Sequence, residues 1–381
     1  MMQYREFGKI DYHPSLLGFG CMRLPVINGE NKNINEAESI KMIRHAIDQG
    51  VNYVDTAYGY HGGNSEFVVS KALKDGYRAK TALATKNPTY LVESGDHWDQ
   101  LLDEQLKKLD VDQIDFYLQH TLDAELWGIT KKYKLWERAE AAKKAGKIKY
   151  YGFSFHDSYE VFEEIINSYD WDFCQIQMNY LDTERQATLK GLELAAKKGI
   201  RVVIMEPLQG GRLANLPDDI AARFNQSQVK HTPVEWALRF LANRPEVALV
   251  LSGMSTMSQV EDNLRICSQP DLVPGCMTEA ELNLLQEIST YWHSKLNISC
   301  TACRYCMPCP NGVDIPAVFA AWNLHGSSNA GAVRSAHKAY QELTTNHADA
   351  SQCIACGACE TACPQHLSII TKLQEAKTVL E

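Results

Sequence analysis

CTACRYCMPCP, residues 300–310, and its echo CIACGACETACP, residues 353–364, decide what the last quarter of the chain folds around. Each run holds three cysteines at Cys-x-x-Cys-x-x-Cys spacing. A further cysteine follows directly ahead of a proline, Cys309 in the first run and Cys363 in the second. That spacing lets one tight loop wrap three corners of a cubane, and the proline then turns the chain away by fixing φ and removing a donor. It is the bacterial-type pattern of iron–sulfur binding, in which the fourth cysteine of each run ligates the cluster of the other. The expected ligands of two [4Fe–4S] clusters are Cys300, Cys303, Cys306 and Cys363 for one, and Cys353, Cys356, Cys359 and Cys309 for the other. The first run has two residues rather than three between Cys306 and Cys309, so Cys309 is the ligand whose geometry the spacing fixes least. Disulfides suit a short secreted domain, and zinc sites pair two Cys-x-x-Cys units rather than clustering triplets. Neither describes these runs.

Outward from the runs, composition bounds the rest. A chain of 381 residues is long enough for one large domain and one small one. With 45% hydrophobic and 22% charged residues it reads as a globular protein, and a net charge of −9 disfavours nucleic acid as a partner. No apolar run reaches membrane-spanning length, and MMQYREFGKI lacks the pattern of a signal peptide, so no membrane association and a cytoplasmic, reducing location are expected. The other four of the 12 cysteines, Cys21, Cys174, Cys267 and Cys276, are scattered and read as small core hydrophobes.

Before the runs, short β-branched stretches alternate with amphipathic ones. Strands are expected at Leu17–Met22, Tyr53–Thr56, Ala82–Thr85, Ile114–Leu118, Tyr150–Phe155, Phe173–Met178, Val202–Met205 and Ala248–Leu251, with helical patterns between them. Eight strand–helix units close a (β/α)8 TIM barrel. A doubly wound sheet is the alternative, but no strand followed by GxGxxG opens the chain. The expected domains are a barrel over 1–285, whose last strand–helix unit ends near Pro274, and a small, mainly helical domain over 286–381, whose cysteine-rich part starts near Asn297. Ile315–Leu343 should be the helical stretch between the two runs.

Barrel enzymes place their chemistry at strand C-termini. There Asp55 is followed by TAYGY, Lys86 ends the third strand and His120 the fourth. With VDTAYGYHGGNSE at 54–66, ATK at 84–86, FYLQH at 116–120, YYGFSFH at 150–156, EPLQGGRL at 206–213 and GMSTMSQVEDNL at 253–264, the chain resembles the aldo-keto reductase family across the whole barrel. With its ferredoxin-like tail it resembles the iron–sulfur branch of that family. The resemblance implies a catalytic tetrad of Asp55, Tyr60, Lys86 and His120. Tyr58 is the rival phenol, set aside because Tyr60 has the family's spacing from Asp55. It also implies a nicotinamide cofactor contacted by Met22, Asp55, Ser154, Gln175, Met205, Leu208, Gly210, Gly211, Gly253, Ser255, Gln259 and Asn263. Family habit points to NADP(H). NAD(H) stays open because Gly253 and Gln259 stand where many relatives place cations for the 2′-phosphate.

The expected function is therefore interconversion of a small carbonyl compound and an alcohol by hydride transfer, with Tyr60 as general acid and base. The clusters would pass electrons to a carrier protein or hold the small domain together. The alternative is an electron-transfer or docking protein whose barrel is mainly a scaffold. Nicotinamide moves two electrons and a cluster one, so coupling the halves calls for a mediator such as a flavin, of which the sequence bears no signature.

Overall fold

The computed structural model describes residues 1–326 and 330–381. Eight strands form a closed barrel in sequence order, each hydrogen-bonded in parallel to its neighbours: β1 Leu17–Gly20, β2 Tyr53–Asp55, β3 Ala82–Asn87, β4 Ile114–Leu122, β5 Ile148–Phe155, β6 Phe173–Gln177, β7 Val202–Met205 and β8 Val247–Gly253. The strands read as near-continuous apolar runs because parallel strands are covered on both faces. Leu83, Phe116, Leu118, Ile204 and Leu249 are all fully buried. β1 and β8 pair from Leu17↔Val250 to Gly20↔Gly253, which closes the ring.

Two elements have no counterpart in the sequence reading. Before β1, the antiparallel bridges Tyr4↔Ser15 and Phe7↔Ile10 make a small hairpin. Its Phe7 stacks on Phe116 with ring centroids 5.3 Å apart and joins a cluster with Tyr53, Ala82 and Phe173, near the strand starts. The hairpin is thus the barrel's floor. A helix at Ala124–Tyr133 also follows β4 directly, capped by Asp123 accepting from the Leu126 N–H at 2.7 Å. It carries Trp127 as a packing residue whose indole donates to Glu164 at 2.8 Å.

The chain divides into two compact units, residues 1–207 with 234–278, and residues 208–233 with 279–381. The segment Leu208–Pro233, expected within the barrel, therefore groups with the C-terminal residues. In that second unit the Arg223 guanidinium lies 3.5 Å from the ring centroid of Tyr291, and the Tyr291 hydroxyl donates to Asp219 at 3.0 Å. Of the helical stretch expected over Ile315–Leu343, residues 327–329 lie outside the described residues. The rest forms helices Ile315–His325 and Ala330–Thr345. A small core of Val318, Phe319, Trp322, Tyr340, Leu373 and Leu380 is shared by these and the final helix, Ile369–Leu380.

Candidate active site and cluster loops

The C-terminal end of β3 delivers Lys86, which is fully buried, to within 2.6 Å of Asp55 Oδ1 at the end of β2. The same ammonium donates to the Thr56 carbonyl at 2.7 Å. Burial pushes the Asp55 carboxyl above its usual range, while the attraction and hydrogen bond of Lys86 pull it back. Two charges out of water hold one another only in good geometry, and removing either one strands the other. Asp55 Oδ2 is also buried and has no hydrogen-bond partner.

Tyr60 is brought over this pair. Its ring centroid lies 4.9 Å from Lys86 Nζ, and its ring meets that of His120 edge-on at 5.9 Å. Three successive left-handed residues, His61, Gly62 and Gly63, form the turn that carries Tyr60. A Cβ on Gly62 would come within 2.6 Å of the Lys32 side chain. His61, buried, fastens the turn: its Nε2 accepts from the Leu24 N–H at 3.2 Å and its Nδ1 donates to the Asn31 carbonyl at 2.8 Å. His61 is thus a staple of the loop. Tyr58 points to other partners. Its hydroxyl donates to Glu104 at 3.2 Å and Lys108 Nζ covers its ring at 3.8 Å.

His120 lies in an irregularity of β4, where pairing with β5 shifts between Gln119 and Leu122 and Thr121 adopts φ +58°. Such a bulge re-aims side chains at a barrel rim. Burial, then the Lys86 and His156 charges, holds the His120 imidazole well below its usual pKa, so it is neutral at physiological pH. Its Nδ1 is buried without a partner.

Behind these groups lies a buried polar network that the sequence reading did not find. Glu66 Oε1 accepts from Thr85 at 2.7 Å and from Gln105 at 2.6 Å. Gln105 also donates to the Lys86 carbonyl at 3.0 Å and accepts from Tyr117 at 2.7 Å. Its members come from α-helices and strands 12 to 39 residues apart. The only local signal was a glutamate and a glutamine facing inward on otherwise amphipathic helices.

The expected cofactor contacts fall into separate groups. In the barrel unit, Met22 lies in the turn after β1. Ser154 Oγ accepts from the Thr121 N–H at 2.7 Å, beside His120. Gln175 Nε2 reaches Met205 Sδ at 3.6 Å, and its Oε1 is buried without a partner. Ser255 N–H donates to Gln259 Oε1 at 2.7 Å, the Ser255 hydroxyl donates to the Arg23 carbonyl at 2.7 Å, and Asn263 donates to Ser252 at 2.9 Å. A Cβ on Gly253 would press on the Arg23 side chain. In the second unit Gly210 and Gly211 are both left-handed, and the Gly211 N–H closes a turn on the Leu208 carbonyl at 2.9 Å. Successive residues of that kind make an anion-accepting concavity. The unpartnered Gln175 Oε1 is an acceptor of the kind the amide N–H of a nicotinamide carboxamide would satisfy.

The cysteines of the second unit surround two small cavities. Cys300, Cys303, Cys306 and Cys363 line one, and Cys309, Cys353, Cys356 and Cys359 line the other. Both loops use the same backbone device: Ala302 and Arg304 in the first and Ala355 and Gly357 in the second have positive φ. The Ala302 N–H points at Cys300 Sγ at 3.4 Å. Thr301, in the first cavity wall, has its hydroxyl buried without a partner. Burial, then the neighbouring Cys303, Cys300 and Cys363 thiols, pushes Cys306 up to about 12. Among the described residues no three His, Cys, Asp or Glu side chains converge on a single ion. Four thiols spread around a cavity suit a cluster, which is wider than an ion.

The Aldo/keto reductase family model matches residues 16–279. The chain belongs to the aldo/keto reductase family. The 4Fe-4S dicluster domain model matches residues 299–368, so this aldo/keto reductase is an oxidoreductase carrying a C-terminal iron–sulfur domain. It is 28% identical over 330 residues to the uncharacterized oxidoreductase YqkF of Bacillus subtilis, covering 78% of this chain and 98% of YqkF. Among solved structures it resembles the holo form of aldo-keto reductase AKR11C1 from Bacillus halodurans, with a TM-score of 0.63, 26% identity, and 76% of this chain and 96% of that one covered. No helix of the described residues is long and apolar enough to cross a membrane.

Proposed function

We propose that this aldo/keto reductase interconverts a small carbonyl compound and an alcohol with a nicotinamide cofactor, using Tyr60 as general acid and base, and that its C-terminal domain holds two [4Fe–4S] clusters. One observation carries the reading: the buried Lys86–Asp55 pair lies beneath the Tyr60 ring, which also meets the neutral imidazole of His120. A scaffold would gain little from keeping such a pair, whose desolvation is costly.

When bound, the nicotinamide supplies or takes up hydride at the carbonyl carbon. The protein handles the rest. Tyr60 gives its phenolic proton to the carbonyl oxygen, so hydride and proton together turn C=O into CH–OH, and the reverse reaction returns both. A free phenol, with a pKa near 10, transfers its proton poorly at neutral pH. An ammonium beside it favours phenolate and eases the transfer. Asp55 holds that ammonium in place. His120 donates a hydrogen bond to the carbonyl oxygen as charge develops there. Ser154 and Gln175 would hold the carboxamide, Met22 and Met205 would contact the nicotinamide, and Leu208, Gly210 and Gly211 would cradle the pyrophosphate. Gly253, Ser255, Gln259 and Asn263 would hold the adenosine half. We assign NADP(H) on family resemblance, with NAD(H) as the alternative. The ligand sets are those of the two cysteine-lined cavities, in a reducing, cytoplasmic setting, and a one-electron carrier protein is the partner.

Tyr60→Phe tests the reading. Removing a positioned general acid should lower kcat for reduction of an aldehyde panel about 10²–10⁴-fold, with NADPH binding and iron content unchanged. Undiminished turnover would sink the assignment.

A further inference from the structure

The second unit contains a cavity far larger than the two ringed by thiols. Its volume is about 720 Å³, within the range of roughly 300–1,000 Å³ typical of small-molecule sites. Segment 212–220, the end of helix Glu279–His293, the start of the first cysteine run and the two helices after it all contribute to its wall. Three features give it a chemical preference. Trp292 lines it, is only 5% exposed, and its buried indole N–H has no hydrogen-bond partner. The charged residues of the wall balance, Arg212 and Lys295 against Asp218 and Asp219. Leu216, Ile220, Pro316 and Leu324 add apolar surface. An uncharged ring with carbonyl edges fits this lining better than a dinucleotide does.

Its position is the stronger argument. Cys300 and Pro316 line both this cavity and the first four-thiol cavity, while Ile315 lines both four-thiol cavities. Arg212 joins the wall to the cysteine run, donating to the Cys300 carbonyl at 2.5 Å with its guanidinium 5.0 Å from the Trp292 ring centroid. The three cavities therefore lie in series, each sharing wall residues with the next. The far one ends at the surface, where Cys356 and Ile354 are exposed.

We propose that this cavity binds a planar aromatic two-electron carrier with ring carbonyls, of the isoalloxazine or quinone type, which exchanges electrons with the cluster held by Cys300, Cys303, Cys306 and Cys363. The inference rests on the two-cluster reading above. The exchange balances: one dihydro-ring and two oxidised clusters give one oxidised ring, two singly reduced clusters and two protons released to solvent, and the reverse consumes them. Such a carrier is what a two-electron reductant needs before it can fill one-electron clusters.

The test uses the full chain, reconstituted anaerobically with iron and sulfide and reduced with dithionite, then mixed with riboflavin or with menadione. Cluster reoxidation should follow a hyperbola in ring concentration, and riboflavin fluorescence should be quenched saturably. Ala320→Trp and Ala332→Trp, which fill the cavity, should each weaken binding at least tenfold and turn the rate linear in concentration, leaving NADPH-dependent aldehyde reduction unchanged. Trp292→Phe should weaken binding several-fold without loss of iron, which covers the case of a filling variant that folds poorly. Saturation by only one of the two rings says which source supplies the carrier. Non-saturable kinetics with both, or filling variants that bind as wild type does, would overturn the proposal. An iron count short of two clusters would instead overturn the reading beneath it.

Discussion

Beneath Tyr60 the barrel meets its buried cation from within the chain: the Lys86 ammonium has Asp55 and the Thr56 carbonyl, and Gln105 and Glu66 brace the strand behind it, although Asp55 Oδ2 and His120 Nδ1 stay without a partner. In the C-terminal unit the cysteine loops do the opposite. Four thiols ring each cavity, burial and mutual repulsion raise Cys306 to about 12, and the Thr301 hydroxyl is stranded in the wall. One site is assembled from bonds within the chain. The other is a set of donors whose energies close only when a cationic inorganic group arrives. The two should therefore fail in different ways.

The largest effect falls on the cysteine loops. Cys309→Ser should halve the iron and acid-labile sulfide and remove the signal of the cluster held by the 353–359 loop, because Cys309 lines the cavity of that loop and not of its own. Cys363→Ser should remove the other cluster by the same crossing. Electron paramagnetic resonance of the dithionite-reduced variants separates the two. If each variant lost the cluster of its own run, the crosswise sets would be wrong.

In the barrel, Asp55→Ala leaves a buried ammonium without its counter-charge and should cost about 3–5 kcal/mol. Denaturant unfolding followed by fluorescence of the barrel tryptophans reads it, with cluster content as the control that should not move. A loss under ~1 kcal/mol would mean that the Thr56 carbonyl alone can hold Lys86, or that Lys86 sheds its proton.

What the sequence disclosed follows the same divide between local and distant causes. The strands were legible because parallel, doubly covered strands are runs of apolar residues such as VVIM at 202–205. Asp55, Lys86 and His120 stood out because the C-terminal end of a strand is a region of the sequence as well as of space, although only Asp55 is a last residue: β3 runs on to Asn87 and β4 to Leu122. The cysteine runs were legible because a loop that wraps a cluster must be short. The Glu66–Gln105–Tyr117 network was not, since its bonds join residues far apart in the chain whose inward aim only packing reveals. Nor was the floor made by Phe7, or the grouping of 208–233 with the C-terminal residues: both depend on which surfaces meet after folding.

His120 gives a smaller effect with a definite sign. Its folded-state pKa is depressed, so above the ordinary value near 6.5 it is neutral in both states and contributes no slope. Below that value the unfolded chain binds a proton that the folded barrel refuses, and stability falls with acidification by up to about 1.4 kcal/mol per pH unit for this one group. His120→Gln should flatten barrel stability between pH 6.5 and the folded-state pKa, by an amount that denaturant midpoints can resolve. An unchanged slope would assign the acid sensitivity to other groups, with His61, also lowered by burial, the first to examine.

The smallest effect returns to the cluster loops and asks whether their stranded groups are finished by what they bind. Thr301 Oγ1 is buried in the first cavity wall with no partner in the protein, and the matching residue of the second loop is Ile354. A hydroxyl donating to cluster or thiolate sulfur stabilises the more negative, reduced state and raises the potential, one of the levers that spread such potentials over roughly 1,000 mV. Thr301→Val keeps the shape and removes the donor. The midpoint of the first cluster should drop by roughly tens of millivolts, while that of the second, which has an isoleucine there already, should stay within error. A shift of both midpoints together would point to a general loosening of the domain rather than a lost hydrogen bond. No shift at all would mean that the Thr301 hydroxyl is satisfied elsewhere, leaving the thiols as the only groups of that loop that the cluster completes.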